Sequence, residues 1–140
     1  MSGALETAVV VTESGNGPYA QFVTAGRHVM GADEPERLGG RDTGPSPYDF
    51  LLAALGACTA MTMRIYATKH AWQVEHISVA LHHEKVAVPG AAVKTDHFER
   101  IITLVGQLSD EQRAQLLEVA DKCPVSQTLR QPSMVNSRYA

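Results

Sequence analysis

The sequence predicts an α+β fold. Three observations carry this. Short β-branched and alternating stretches open the chain, separated by Gly- and Pro-containing turns. A long apolar helix follows a well-marked start at Ser46-Pro47. A second pair of strand-like stretches then leads into a capped amphipathic helix. The predicted order is β-β-β-α-β-β-α-β, in one domain spanning residues 1–140.

Each element has a local cause. Thr7 to Thr12 is β-branched and reads as a strand, and Ser14-Gly15-Asn16-Gly17-Pro18 as a turn. Tyr19 to Thr24 alternates and reads as a second strand, with Arg27 to Met30 as a weaker third. Their closeness suggests an antiparallel meander. Residues 31–47 hold four glycines and three prolines and read as a loop. Ser46 then suits an N-cap, Pro47 the first helical turn, and Asp49 the third position after the cap. The helix should run from Pro47 to Lys69. It is apolar on nearly every face through Met63, so burial all round is expected. Glu75 to Val88 and His97 to Gln107 read as paired strands, with a turn at Pro89-Gly90. Ser109 followed by Gln112 forms a capping box. The helix from Asp110 to Lys122 should place Leu116, Leu117 and Ala120 inward, and Pro124 should end it. Cys123 to Leu129 reads as a short extra turn, and Pro132 to Tyr139 as a last strand.

Composition narrows the function. The chain has 140 residues, 44% hydrophobic and 19% charged, which suits a soluble globular protein. A net charge of −3 gives no electrostatic case for nucleic acid or an anionic membrane. The start, Met1 to Glu6, has no basic region leading into an apolar core, so no signal peptide is read. The apolar run Phe50 to Met63 contains two threonines and is short for a bilayer span. A cytoplasmic location is the expectation. In that compartment two cysteines suggest thiol chemistry more than a permanent staple.

The two cysteines, Cys58 and Cys123, are the candidate chemistry. A thiolate can attack a hydroperoxide and become a sulfenic acid, which a second thiol converts to a disulfide. Local rules leave the roles open. Cys123 precedes a proline at the edge of a helical turn, where backbone N–H groups favour a thiolate. Cys58 sits mid-helix among alanines and leucines, where its activation would need an imported charge. Buried cysteine is also often inert packing.

Gly44-Pro45-Ser46-Pro47 leading into Leu51-Leu52-Ala53-Ala54-Leu55-Gly56-Ala57-Cys58-Thr59, with Cys123-Pro124-Val125-Ser126-Gln127-Thr128-Leu129, resembles the family of osmotically inducible protein C and organic hydroperoxide resistance proteins. The resemblance covers nearly the whole chain and looks like a less characterised branch. It implies an intertwined homodimer, with two central helices wrapped by antiparallel sheets from both chains. It also implies a thiol-dependent peroxidase for organic hydroperoxides, active in oxidative stress defence. Cys58 takes the position of the attacking cysteine and Cys123 that of the resolving one. No bound cofactor is implied; an external dithiol, such as a lipoyl group, would return the pair to thiols. Two departures stand out. Better-studied members place a glutamate after the helix-start proline, where this chain has Tyr48. Asp49 is the nearest carboxylate, about 100° further round the helix, and joins the cysteines as a catalytic candidate alongside its capping role. Those members also carry an arginine in the first strand; here Arg27 and Arg41 are the nearby candidates. A wall of Phe50, Leu51, Leu55 and Met61 would favour bulky apolar peroxides.

Other constellations are weaker. His82-His83-Glu84 lies on a strand, where neighbours face opposite ways, and no compact ligand spacing accompanies it. His28 and His97 could line a pocket, and Trp72 reads as packing. Gly39-Gly40 and Gly44 lack the context of a phosphate loop. A reading of another class is a non-catalytic redox sensor or apolar-ligand binder on the same fold. An arginine within reach of the Cys58 sulfur would favour the enzyme.

Overall fold

The computed structural model describes residues 9–140. The chain divides into two compact units, the first ending at Leu51 and the second beginning at Leu52. In the first, β1 (Val9–Glu13), β2 (Gln21–Ala25) and β3 (His28–Ala32) form an antiparallel sheet in the order β1-β2-β3. Val11 pairs with Val23, and Val23 with Met30. Thr7 and Ala8, expected in the first strand, lie outside the described residues. Ala25 pairs directly with His28, so only Gly26 and Arg27 make the turn. Gly26 has φ +61°, the left-handed region that a two-residue hairpin requires.

The loop after β3 contains one short 3-10 turn, Glu36–Leu38, and is organised by Asp33. This carboxylate is 3% exposed. It accepts from the Thr43 hydroxyl at 2.7 Å and from the backbone N–H groups of Glu34, Thr43 and Arg41 at 2.8, 3.1 and 3.3 Å. The Thr43 hydroxyl is the largest cause that holds the Asp33 carboxyl below its ordinary value of 3.8; burial opposes it, and the backbone donors add to it. The loop delivers the chain to α1 (Pro47–Lys69), the helix expected from the sequence with the same limits. Its start is a reciprocal box: Ser46 N–H donates to the Asp49 carboxylate at 3.0 Å, and Asp49 N–H to the Ser46 hydroxyl at 3.3 Å.

In the second unit, β4 (Gln73–Val86) and β5 (Thr95–Gln107) form a long antiparallel ribbon. One face carries Val74, Ile77, Val79 and Leu81 from β4 and Phe98, Arg100, Ile102 and Leu104 from β5, all buried or half-buried. A register shift falls between Val74 and His76. There Gly106, at φ +152°, comes so close to the Gln73 carbonyl that a Cβ would lie 2.0 Å from its oxygen. The core gathers Met63 and Ala67 of α1, Val74 of β4, and Leu116 and Ala120 of α2 (Asp110–Asp121). Ser109 caps α2 in the expected box with Gln112. Cys123 then caps α3 (Pro124–Arg130), with Pro124 at the first helical position.

Three features bear on the expectations. First, α1 is not enclosed by its own chain, as expected of a helix apolar on nearly every face in one small domain. Leu55, Gly56, Thr59, Met63 and Ala67, at steps of three or four, form its buried stripe. Met61 and Ile65 on other faces are 64% and 68% exposed. The 23-residue helix is long and apolar enough by composition to cross a bilayer, which the shorter run Phe50–Met63 did not indicate. Second, Leu117 is 59% exposed. Consecutive helical residues diverge by about 100°, and the inward arc of α2 is filled by Leu116, Val119 and Ala120. Third, Pro132 to Tyr139 forms no strand, so the observed order is β-β-β-α-β-β-α-α. Pro132 offers no N–H, and among the described residues no strand edge pairs with this segment.

Asp33 generates a prediction about pH. Its depressed carboxyl contributes stability that is fully present above the ordinary value of 3.8 and is lost as pH falls through the lower folded-state value. Asp33→Asn should be less stable than the parent at neutral pH, with the gap narrowing in acid. Thermal unfolding of both chains from about pH 6 downward checks this; a constant gap would show that Asp33 does not stabilise the fold through its charge.

Candidate functional site

The site grows from one residue of β5. Along this strand every second side chain turns inward, and Arg100 falls in phase with Phe98, Ile102 and Leu104. An inward arginine must find acceptors for its five N–H groups. It finds them where α2 ends and α3 begins. Nη1 donates to the Ala120 carbonyl at 2.9 Å and to the Thr59 hydroxyl of α1 at 3.0 Å. Nη2 donates to Asp121 at 2.9 Å and to the Ser126 hydroxyl at 3.4 Å. The Cys123 sulfur lies 4.0 Å from Nη1. Only 11% of the Arg100 side chain is exposed. Asp121 is shared with Arg130, whose Nη2 reaches it at 3.0 Å.

Cys123 is fully buried. Its sulfur accepts from Ser126 N–H at 3.4 Å and lies 3.8 Å from the Thr59 hydroxyl. Cys58 is half-buried, and both thiols are free. The side chain that α1 presents to Cys123 is thus Thr59. Cys58 leaves the helix one residue earlier, about 1.5 Å along the axis and 100° round it. Thr59, the neighbour of Cys58 in α1, faces Cys123 at this junction, with the arginine on the Cys123 side. Beside this junction lies a cavity of about 330 Å³. Leu55, Phe98 and Leu129 give it apolar wall, while Arg100, Arg130, Ser126, Asp96 and His97 give it polar edge. Lys85, then His83, hold the Asp96 carboxyl below its ordinary value of 3.8.

The other candidates fall elsewhere. Asp49 belongs to the first unit, where its carboxylate is engaged by Ser46 N–H at the start of α1. Arg27 and Arg41 belong to the same unit; the Arg41 side chain runs beside Gly17. Of the expected apolar wall, Leu55 lines the cavity, Met61 is 64% exposed, and Phe50 and Leu51 belong to the first unit. His97 lines the cavity, and His28 belongs to the first unit. His82 and His97 flank Glu84 at 3.7 and 3.8 Å, and among the described residues no group of three or more such side chains could hold a metal. Trp72 packs edge-on to Tyr66, with centroids 5.5 Å apart. The residue that sequence reading missed is Arg100. Its signal was present: a lone arginine on the same strand face as Phe98, Ile102 and Leu104.

Two substitutions separate the parts of this network. Arg100→Met removes a nearly buried cation from its acceptors and should cost about 3 kcal/mol. Asp121→Ala removes a carboxylate that is 59% exposed and should cost less than about 1 kcal/mol. Urea unfolding of both variants checks the ranking, and similar costs would show that the ion pair, rather than the inward contacts, carries the network.

A family profile described as OsmC-like protein matches residues 40–138, well over half of the chain. No match was found among curated protein sequences. Among solved structures, an osmotic stress induced and detoxification response protein from Psychrobacter arcticus is similar at TM-score 0.73 and 20% identity, over 87% of each chain. An OsmC-like protein from Mycoplasma pneumoniae is similar at 0.72 and 14% identity, over 87% of this chain and 85% of that one. An organic hydroperoxide resistance protein from Elizabethkingia anophelis, with thiocyanate bound, is similar at 0.68 and 18% identity, over 88% and 86%. At these identities the likeness establishes the fold, and the profile match establishes the kinship: the chain belongs to the OsmC-like protein family.

Proposed function

We propose that this protein is a thiol-dependent peroxidase that reduces organic hydroperoxides, with Cys58 attacking and Cys123 resolving. The observation that carries the reading is two free thiols, one partly accessible and one sealed against Thr59, the residue that follows the first. An external oxidant can approach only the accessible sulfur. Attack breaks the O–O bond, transfers the distal oxygen to Cys58, and releases the alcohol with the thiol proton. Cys123 then attacks the sulfenic sulfur; the S–S bond forms, the S–O bond breaks, and water leaves. A dithiol reductant, of which a lipoyl group is the proposed example, restores both thiols. Family membership supports the chemistry, as does the likeness to a protein named for organic hydroperoxide resistance. The location proposed for this cycle is a reducing compartment, the cytoplasm.

The test is consumption of cumene hydroperoxide by purified protein with dihydrolipoamide. Cys58→Ser should abolish turnover. Cys123→Ser should complete one turnover and accumulate a sulfenic acid on Cys58, read by dimedone labelling and mass spectrometry. First turnover retained in Cys58→Ser and lost in Cys123→Ser would reverse the roles. A sensor on the same fold is the second reading, favoured by the placement of Arg100 against Cys123 instead of Cys58. It predicts one oxidation event with no sustained consumption under the same conditions.

The working form is proposed to be a homodimer joined through α1. Met61 and Ile65 leave apolar surface uncovered along that helix. Burying such side chains is worth about 1.5–3 kcal/mol each. A Met61→Glu, Ile65→Glu double variant should therefore shift the assembly towards monomer in light scattering. A parent chain that stays monomeric and folded at micromolar concentration would remove the proposal.

A further inference from the structure

The donors around Cys123 outnumber what a neutral thiol uses. Arg100 Nη1 carries two N–H groups and faces three acceptors: the Ala120 carbonyl at 2.9 Å, the Thr59 hydroxyl at 3.0 Å and the Cys123 sulfur at 4.0 Å. The two short contacts occupy both protons. Thr59 gives its own hydroxyl proton to the Leu55 carbonyl at 2.6 Å, so in its contact with the sulfur the Cys123 S–H is the donor. Ser126 N–H supplies the sulfur with a donor in return. A thiol here is satisfied on both sides. A thiolate would lose its bond to Thr59 and leave Arg100 as the nearest cation, anchored and nearly buried.

We infer that Arg100 is the positioning residue for Cys123 in the second half of the cycle proposed above. Its contacts with Ala120 and Asp121 hold the guanidinium in place. Release of the Thr59 contact turns one Nη1 N–H to the sulfur as negative charge develops there. Cys123 then attacks the Cys58 sulfenic acid; hydroxide leaves the Cys58 sulfur and takes up the Cys123 proton to become water. The step needs no reactant beyond the hydroperoxide that formed the sulfenic acid. Thr59 serves as the alternative acceptor that keeps Nη1 satisfied while the thiol is protonated. The role differs from activation of the attacking thiol, because Arg100 lies against the other cysteine.

The test follows one equivalent of cumene hydroperoxide added to reduced protein, with quenched samples resolved by mass spectrometry into sulfenic acid and disulfide. Arg100→Gln keeps a donor for Ala120 and removes the charge; Arg100→Lys keeps the charge. In Arg100→Gln the sulfenic acid should form at the parent rate, and its condensation should slow about tenfold, the effect of losing a hydrogen bond to a charged group. Arg100→Lys should recover much of the rate. Equal condensation rates in parent and Arg100→Gln would overturn the assignment. Where circular dichroism shows Arg100→Gln unfolded, Arg100→Lys decides: a rate near the parent's supports the role, and a loss as large as tenfold overturns it. A parent that never forms a sulfenic acid overturns the peroxidase reading, whereas a parent that forms it and condenses no faster than Arg100→Gln overturns the role of Arg100 alone.

Discussion

The Arg100 guanidinium is the contact on which the second unit's active region depends. One nearly buried cation reaches α1 through Thr59, the end of α2 through the Ala120 carbonyl and Asp121, and the start of α3 through Ser126. Helix ends leave carbonyls and N–H groups unsatisfied, and two such ends meet here within a few residues. Cys123 contributes the cap of α3, and Arg100 supplies an acceptor of α2 with a donor. Without the arginine, the Ala120 carbonyl would lose its side-chain donor. The sulfur is held in place by the same bonds that hold the two helices in register.

Much of the fold was legible because its signals are local. Ser46 and Asp49, and likewise Ser109 and Gln112, announce helix starts through spacing alone, and both boxes form with reciprocal bonds. The β-branched runs and Gly-rich turns located the strands to within a few residues. What failed was whatever depends on a distant partner. Leu117 obeys the apolar pattern of α2, yet the inward arc was already filled by Leu116, Val119 and Ala120. Met134 and Val135 look like strand residues, but among the described residues no strand pairs with their segment.

The site was legible in one half. Both cysteines stand out by scarcity and setting, and Cys123 packs against Thr59, the residue that follows Cys58. Arg27 and Arg41 lie in the first unit, whereas Arg100 sits on β5, where its phase with Phe98, Ile102 and Leu104 marks it as inward. The capping role expected of Asp49 is met by its reciprocal bonds with Ser46.

Gly56 has a consequence for the thiols that lie near it. A Cβ at this position would stand 2.6 Å from Leu81 Cδ1, the end of a flexible side chain, so α1 rests directly on β4 and an added methyl must move either that side chain or the helix. Successive residues of α1 are about 100° apart, so a turn of the helix changes whether Thr59 or Cys58 faces Cys123. A single alanine at Gly56 would therefore probe the clocking of the helix as well as its packing.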